Sequence, residues 1–262
     1  LRDRGFQVIT APAARSGGDS FCTPNSGKVE NCIAAARVAA ETHVLGCVIT
    51  SWALRMAPWP TTEYGLIAGI MMMDNPRVSR REIDTRFAEE HFGLADPELA
   101  QVPLLLGAEN AGQLTESLPR MDSASGHWFA TDYKKRIDRI REDPEASLQT
   151  FARMMVSLDK AQALLKKANP NTPAQKQRVD IWQWAHDVLR YYAEFGPQVL
   201  KEPGTHDPDE LAAFSRRAEL LMRRTDELLR PLMTDWTMAT EQQVRFGLHL
   251  EYLQNLMSAI VR

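Results

Sequence analysis

Four side chains able to hold a ligand fall in one short stretch: Trp52, Arg55, Trp59 and Glu63. An indole presents a flat apolar face that can stack on the C–H groups of a pyranose ring, and the planar fork of an arginine matches pairs of hydroxyls. Glu63 adds a carboxylate, either as a polar contact or as the acidic partner of a helix N-terminus. Each has a plain structural explanation as well: a tryptophan packed in the mouth of a barrel, a solvated arginine, a first-turn glutamate. A second group, Arg15 with Ser16, Asp19 and Ser20, lies on a glycine- and serine-rich segment where it lines a pocket rim or is solvated.

The elements that must position these residues are read from the apolar pattern. Leu45–Thr50 is an apolar, β-branched run without polar alternation, as in a strand buried on both faces of a parallel sheet. A polar, proline-punctuated loop follows over Ser51–Pro60. Thr61 or Thr62 then caps a helix with Glu63 in its first turn and Leu66–Met73 as its apolar body. Upstream, Phe6–Thr10 reads as a strand, Ala13–Gly27 as its long loop and Val29–Thr42 as the covering helix. Residues 1–74 therefore read as two βα units. In a (β/α)8 barrel the loops after the strands build the active face, which is where Trp52, Arg55, Trp59 and Glu63 would stand.

From Asn75-Pro76 onward helical periodicity takes over. Ser79 caps a helix with Glu82 at capping-box spacing and Gly93 as its stop, and Asp96-Pro97, Asp143-Pro144 and Thr172-Pro173 each start another. Leu211, Phe214, Ala218, Leu221, Thr225, Leu228 and Leu232 form one stripe, and Phe246, Leu250, Leu253, Met257 and Ile260 a second. Helices with such stripes bury them against one another, so residues 75–262 are expected to form an antiparallel helical bundle.

Composition excludes several classes. The chain has 262 residues, 44% hydrophobic and 25% charged, which is a globular balance. A net charge of -3 gives no electrostatic ground for nucleic acid or an anionic membrane as partner. No apolar run approaches the ~20 residues of a membrane span, and no signal peptide is visible, so the expectation is a soluble, cytoplasmic protein. The opening without methionine suggests a processed or truncated product. Cys22, Cys32 and Cys47 lack metal-ligand spacing, the six histidines form no helical pair, and no zinc, P-loop, dinucleotide or Gly-x-Ser-x-Gly motif is present. Neither a metal nor a cofactor is expected.

Thr50-Ser-Trp52 after an apolar strand, preceded by Ala11-Pro-Ala-Ala-Arg-Ser-Gly-Gly-Asp-Ser-Phe21 and Glu30-Asn31, resembles strands seven and eight of glycoside hydrolase family 20, the β-N-acetylhexosaminidases. Arg86-Phe-Ala-Glu-Glu-His-Phe-Gly93 and the stretch from Trp236 to Leu250 extend the likeness to the small branch of that family with a helical tail. The resemblance implies the last two βα units of a TIM-type barrel followed by a carboxyl-terminal helical domain. It implies removal of terminal N-acetylhexosamine from a glycan, with Trp52 as sugar platform and Arg55, Trp59, Glu63 and Arg15 as further substrate contacts. Ala53 and Leu54 stand where the family often has a carboxylate.

The family's reaction is substrate-assisted: an Asp orients the acetamido group, whose oxygen attacks the anomeric carbon, and the adjacent Glu protonates the leaving oxygen. Here Asp-Glu occurs only at Asp209-Glu210 and Asp226-Glu227, neither after a strand. The expectation is a chain with no catalytic residue of its own, inactive alone, whose partners are an N-acetylhexosamine glycan and either a complementing barrel fragment or further copies of itself. The rival reading is a non-catalytic helical interaction or scaffold module, with Trp182, Trp184, Tyr191 and Tyr192 as candidate contacts, although bundle core is the favoured role for these aromatics.

Overall fold

The computed structural model describes residues 4–15, 22, 25–51, 58–108, 137, 138, 140–202, 204–232, 247 and 249–258. The elements in chain order are β1 (Ile9–Thr10), β2 (Ala13–Arg15), α1 (Asn25–Glu41), β3 (Gly46–Cys47), β4 (Thr50–Ser51), α2 (Glu63–Asp74), α3 (Arg80–Phe92), α4 (Gln101–Ala108), α5 (Pro144–Leu165), α6 (Pro173–Val199) and α7 (Pro208–Leu229). Residues 249–258 are also helical.

The expected α/β architecture, two units of a (β/α)8 barrel ahead of a bundle, is not what the chain adopts. Helix dominates, and the strands described amount to two parallel pairs, β1 with β3 and β2 with β4. Each strand is two or three residues long, and a bulge between Ala13 and Arg15 interrupts the ladder. The apolar run Leu45–Thr50, which reads as a strand buried on both faces, is only partly covered: Leu45 is 64% exposed and Val48 53%, and in the upstream strand Ile9 is 50% exposed. An uninterrupted apolar run carries the same signature whether or not neighbouring strands exist to bury it.

The chain divides into two compact units, Leu1–Ala108 with Lys160–Gln183, and Glu109–Asp159 with Trp184–Arg262. In the first unit α1 lies against α2 and the short strands, with Ala14, Val29, Cys32, Ala36, Tyr64, Ala68 and Met72 fully buried. The Thr10 hydroxyl donates to the Ala35 carbonyl at 3.4 Å, and Ile49 packs over Gly69 of α2. Helix α3 opens on the expected capping box, in which the Ser79 hydroxyl accepts from the Glu82 amide and the Glu82 carboxylate from the Ser79 amide. It closes on Gly93 at φ 71°, a left-handed cap that favours glycine. There the Asn169 amide donates to the Phe92 carbonyl at 2.8 Å.

The start of α2 differs from expectation. Pro58 begins a 3-10 turn over Trp59–Thr62, so the Thr61 and Thr62 hydroxyls donate back to the carbonyls of Pro58 and Trp59, both at 2.7 Å, and cap nothing.

In the second unit the inner face of α6 carries Trp184, Val188, Tyr191, Tyr192, Phe195 and Val199, all at 0% exposure. Tyr191 and Phe195 meet Phe214 of α7 edge to face, at 5.8 and 5.3 Å between ring centres. Phe151 of α5 lays its ring where any side chain at Gly196 would have to stand, next to Pro197 inside α6. No helix among the described residues is long and apolar enough to cross a membrane.

Candidate functional site

Glu63 occupies the first turn of α2, immediately after the loop that carries the tryptophans, and its carboxylate points inward. Glu63 Oε2 lies 2.9 Å from Nε2 of His91 on α3 and accepts from Nε of Arg178 on α6 at 3.0 Å. On the other side of the imidazole, the Trp182 indole N–H donates to His91 Nδ1 at 3.1 Å. That bond uses the Nδ1 lone pair, so the single proton of a neutral imidazole sits on Nε2, facing Glu63. The Nε2 contact is short but misses the angular requirement of a good hydrogen bond, so it acts mainly as a dipole against the carboxylate.

Electrostatics follow from this arrangement. Burial pushes the Glu63 carboxyl up, and the His91 contact together with the Arg178 guanidinium outweighs it, holding the group below the usual carboxylate range. Burial pulls His91 below the ordinary imidazole range, against the opposing pull of Glu63. With the imidazole neutral, Arg178 supplies the charge that keeps Glu63 ionised. Glu63 is therefore a poor general acid, and His91, with Nδ1 committed to Trp182, is no free base.

The network rests on an aromatic column. His91 stacks on Phe87 at 4.1 Å, Phe87 on Tyr64 at 4.3 Å, and Trp182 meets Phe87 edge-on at 6.4 Å. The buried Tyr64 hydroxyl donates to Asp84 at 2.5 Å and accepts from Arg80 at 2.8 Å, while Arg80 also reaches Asp84 and Glu30 of α1. Arg80, Asp84, Phe87 and His91 recur every three or four residues, so one face of α3 carries the whole support.

Trp59, four residues before Glu63, is 51% exposed, on a turn whose following residues Thr61 and Thr62 are fully buried. The turn is tied to α1 by Asn25, whose buried side-chain amide donates to the Thr61 carbonyl at 3.1 Å and reaches the Pro103 carbonyl at 3.5 Å. Trp52 and Arg55 lie outside the described residues. Arg15 contributes its backbone to β2, and its side chain lies outside the described residues.

Sequence reasoning passed over His91, Arg178 and Asn25 as site residues, and weighed Trp182 only as a partner contact or a core residue. The periodic Arg80, Asp84, Phe87 and His91 were the one visible signal, since Arg178 is 115 residues from Glu63. Of the two Asp-Glu pairs, Glu210 is engaged by Gln198 at 2.6 Å and Lys201 at 3.1 Å, and Asp226 by Arg230. Among the described residues no group of three or more His, Cys, Asp or Glu could hold a metal ion. No protein-family model, curated protein or solved structure matches the chain.

Proposed function

We propose that this chain is a non-catalytic, carboxyl-terminal portion of a glycoside hydrolase resembling β-N-acetylhexosaminidases, and that it offers an aromatic contact for a terminal N-acetylhexosamine. The observation that carries this reading is Trp59: a large indole left 51% exposed on a turn tied to α1 by Asn25 and followed directly by Glu63, which His91 and Arg178 anchor. An exposed aromatic on a rigid support loses little entropy on stacking against a ring, which is what a sugar platform requires. Trp52 and Arg55 precede it on the same loop in sequence and extend the proposed contact. The acid that protonates the leaving oxygen, and the Asp that orients the acetamido group, would come from another part of the enzyme.

The rival scaffold reading loses its proposed contacts, because Trp182, Trp184, Tyr191 and Tyr192 are all at 0% exposure. They serve as core.

The test is a titration of the chain with N-acetylglucosamine and its short β-linked oligomers, followed by calorimetry and tryptophan fluorescence. The expected result is weak, saturable binding that Trp59→Ala abolishes while the far-UV dichroism stays unchanged. Absence of saturable binding, or binding indifferent to Trp59→Ala, refutes the reading.

A further inference from the structure

We propose that a single proton on His91 detaches the Arg178–Trp182 turn of α6 from α2 and α3, because both side chains that hold the turn there depend on a neutral imidazole. Arg178 and Trp182 stand one helical turn apart, and both end on the His91–Glu63 pair. An indole N–H can only donate. It gives its proton to His91 Nδ1 at 3.1 Å, a bond that exists while Nδ1 keeps its lone pair. Nε2 already bears a hydrogen, so an added proton must go to Nδ1, and two N–H groups then face each other. The same event weakens the second attachment. Arg178 Nε donates to Glu63 Oε2 at 3.0 Å, and His91 Nε2 stands 2.9 Å from that same oxygen. Once charged, the imidazolium competes with the guanidinium for it and sets a second cation at its side.

The surroundings cannot absorb the added charge. The charged groups that act on the imidazole are Glu63 of α2, Arg178 of α6 and Glu90 of α3, and Glu90 is committed to Arg86. The rings of Phe87, Phe92 and Trp182 lie against it on other sides. Among the described residues, Glu63 is thus left as counter-ion to two cations in a buried place. The neighbouring attachments are of another kind: the Asn169 amide donates to the Phe92 carbonyl and the Gln175 side chain to the Glu89 carbonyl, both at 2.8 Å. Neither bond contains a group that titrates in mild acid. The proton therefore frees the Trp182 end while the connection between α5 and α6 stays held. Burial keeps His91 neutral in a neutral medium, so the contact is closed there and opens on acidification.

Neither this contact nor its test depends on the carbohydrate reading. Hydrogen exchange of the Trp182 indole N–H, assigned with Trp182→Phe and followed by NMR on the full chain from about pH 7.5 to about pH 4.5, reads the opening directly. In the released form His91 binds its proton near the ordinary value of 6.5, so protection of that N–H should fall about tenfold for each pH unit below it. The Asn169 amide and the amides of α1 should keep their protection over the same range. His91→Gln retains an acceptor and a donor but has no titrating proton, and it should abolish the dependence. Trp182 protection that does not change with pH overturns the inference. A loss that the α1 amides share in step also overturns it, since the whole unit is then unfolding. These two readings of the parent chain decide the matter even where His91→Gln does not fold, and a folded His91→Gln that keeps the slope overturns it as well.

Discussion

Replacing Gly93 by Ala tests whether the α3 terminus carries the buried network. Gly93 has φ 71° and ψ 15°, and placing an L side chain in that region costs about 1 kcal/mol. The new Cβ would also fall 2.9 Å from the Asn169 carbonyl carbon and 3.0 Å from Pro170 Cα, closer still to the Asn169 oxygen. These are backbone atoms, so the turn itself must move, and the Asn169 amide then loses its bond to Phe92, about 1 kcal/mol more. With residual strain the loss should be about 2–4 kcal/mol. Gly204→Ala provides the reference. Gly204 has φ 87° but nothing within 4 Å of its Cβ position, so only the conformational part, about 1 kcal/mol, should appear. Urea unfolding followed by circular dichroism and by hydrogen exchange of the α3 amides reads both. A loss at Gly93 no larger than at Gly204 would refute the argument that this turn is locked against Asn169.

Four further outcomes follow from the buried polar groups. His91 and His249 are held neutral, the latter pulled down to about 3 by burial, while the unfolded chain binds protons near the ordinary value of 6.5. The unfolded state therefore takes up more protons, and stability should fall as pH drops below about 6.5, with Glu63 adding its own loss only as it too becomes protonated at lower pH. Trp182→Phe removes the donor that commits His91 Nδ1. It should cost about 1–3 kcal/mol at neutral pH yet flatten the first unit's pH dependence, since His91 can then accept a proton, and a slope unchanged from the parent speaks against the tautomer assigned here. Tyr64→Phe should lose about 1–2 kcal/mol by taking a hydroxyl from between Asp84 and Arg80, measured as a drop in urea midpoint at constant m. Asn25→Ala should weaken N-acetylglucosamine binding while leaving Trp59 in place, and calorimetry showing parental affinity would mean the turn holds without it.

The helix boundaries were legible because their signals are local. Ser79 with Glu82, Asp96 with Pro97, Asp143 with Pro144 and Thr172 with Pro173 cap as their spacing indicates, the Thr172 hydroxyl accepting from the Gln175 amide. The α7 stripe is buried at Leu211, Phe214, Ala218 and Thr225, but Leu221 and Leu228 are only half-buried, Leu229 takes the buried place beside Leu228, and Leu232 is 42% exposed. The strands failed for a physical reason. Leu45–Thr50 has the composition of a strand buried on both faces, but burial depends on neighbours that the run itself does not encode. The threonine caps failed because Pro58 and Trp59 start a tighter turn upstream and draw both hydroxyls to their own carbonyls. Glu63 was visible as a first-turn acid, whereas its meaning came from His91 on the next helix and Arg178 far down the chain. No period or spacing links those three positions.

The contact between Phe151 and Gly196 has an evolutionary consequence. Pro197 cannot donate within α6, and the residue before a proline is disfavoured in helix, least of all when it is small. The helix runs through this point with a ring seated on bare backbone. Neither position can change by itself: a larger residue at 196 evicts the ring, and a smaller one at 151 leaves a hole. Descendants of this chain should therefore substitute the two together, and that paired substitution is a signature by which distant relatives can be recognised after individual identities have drifted.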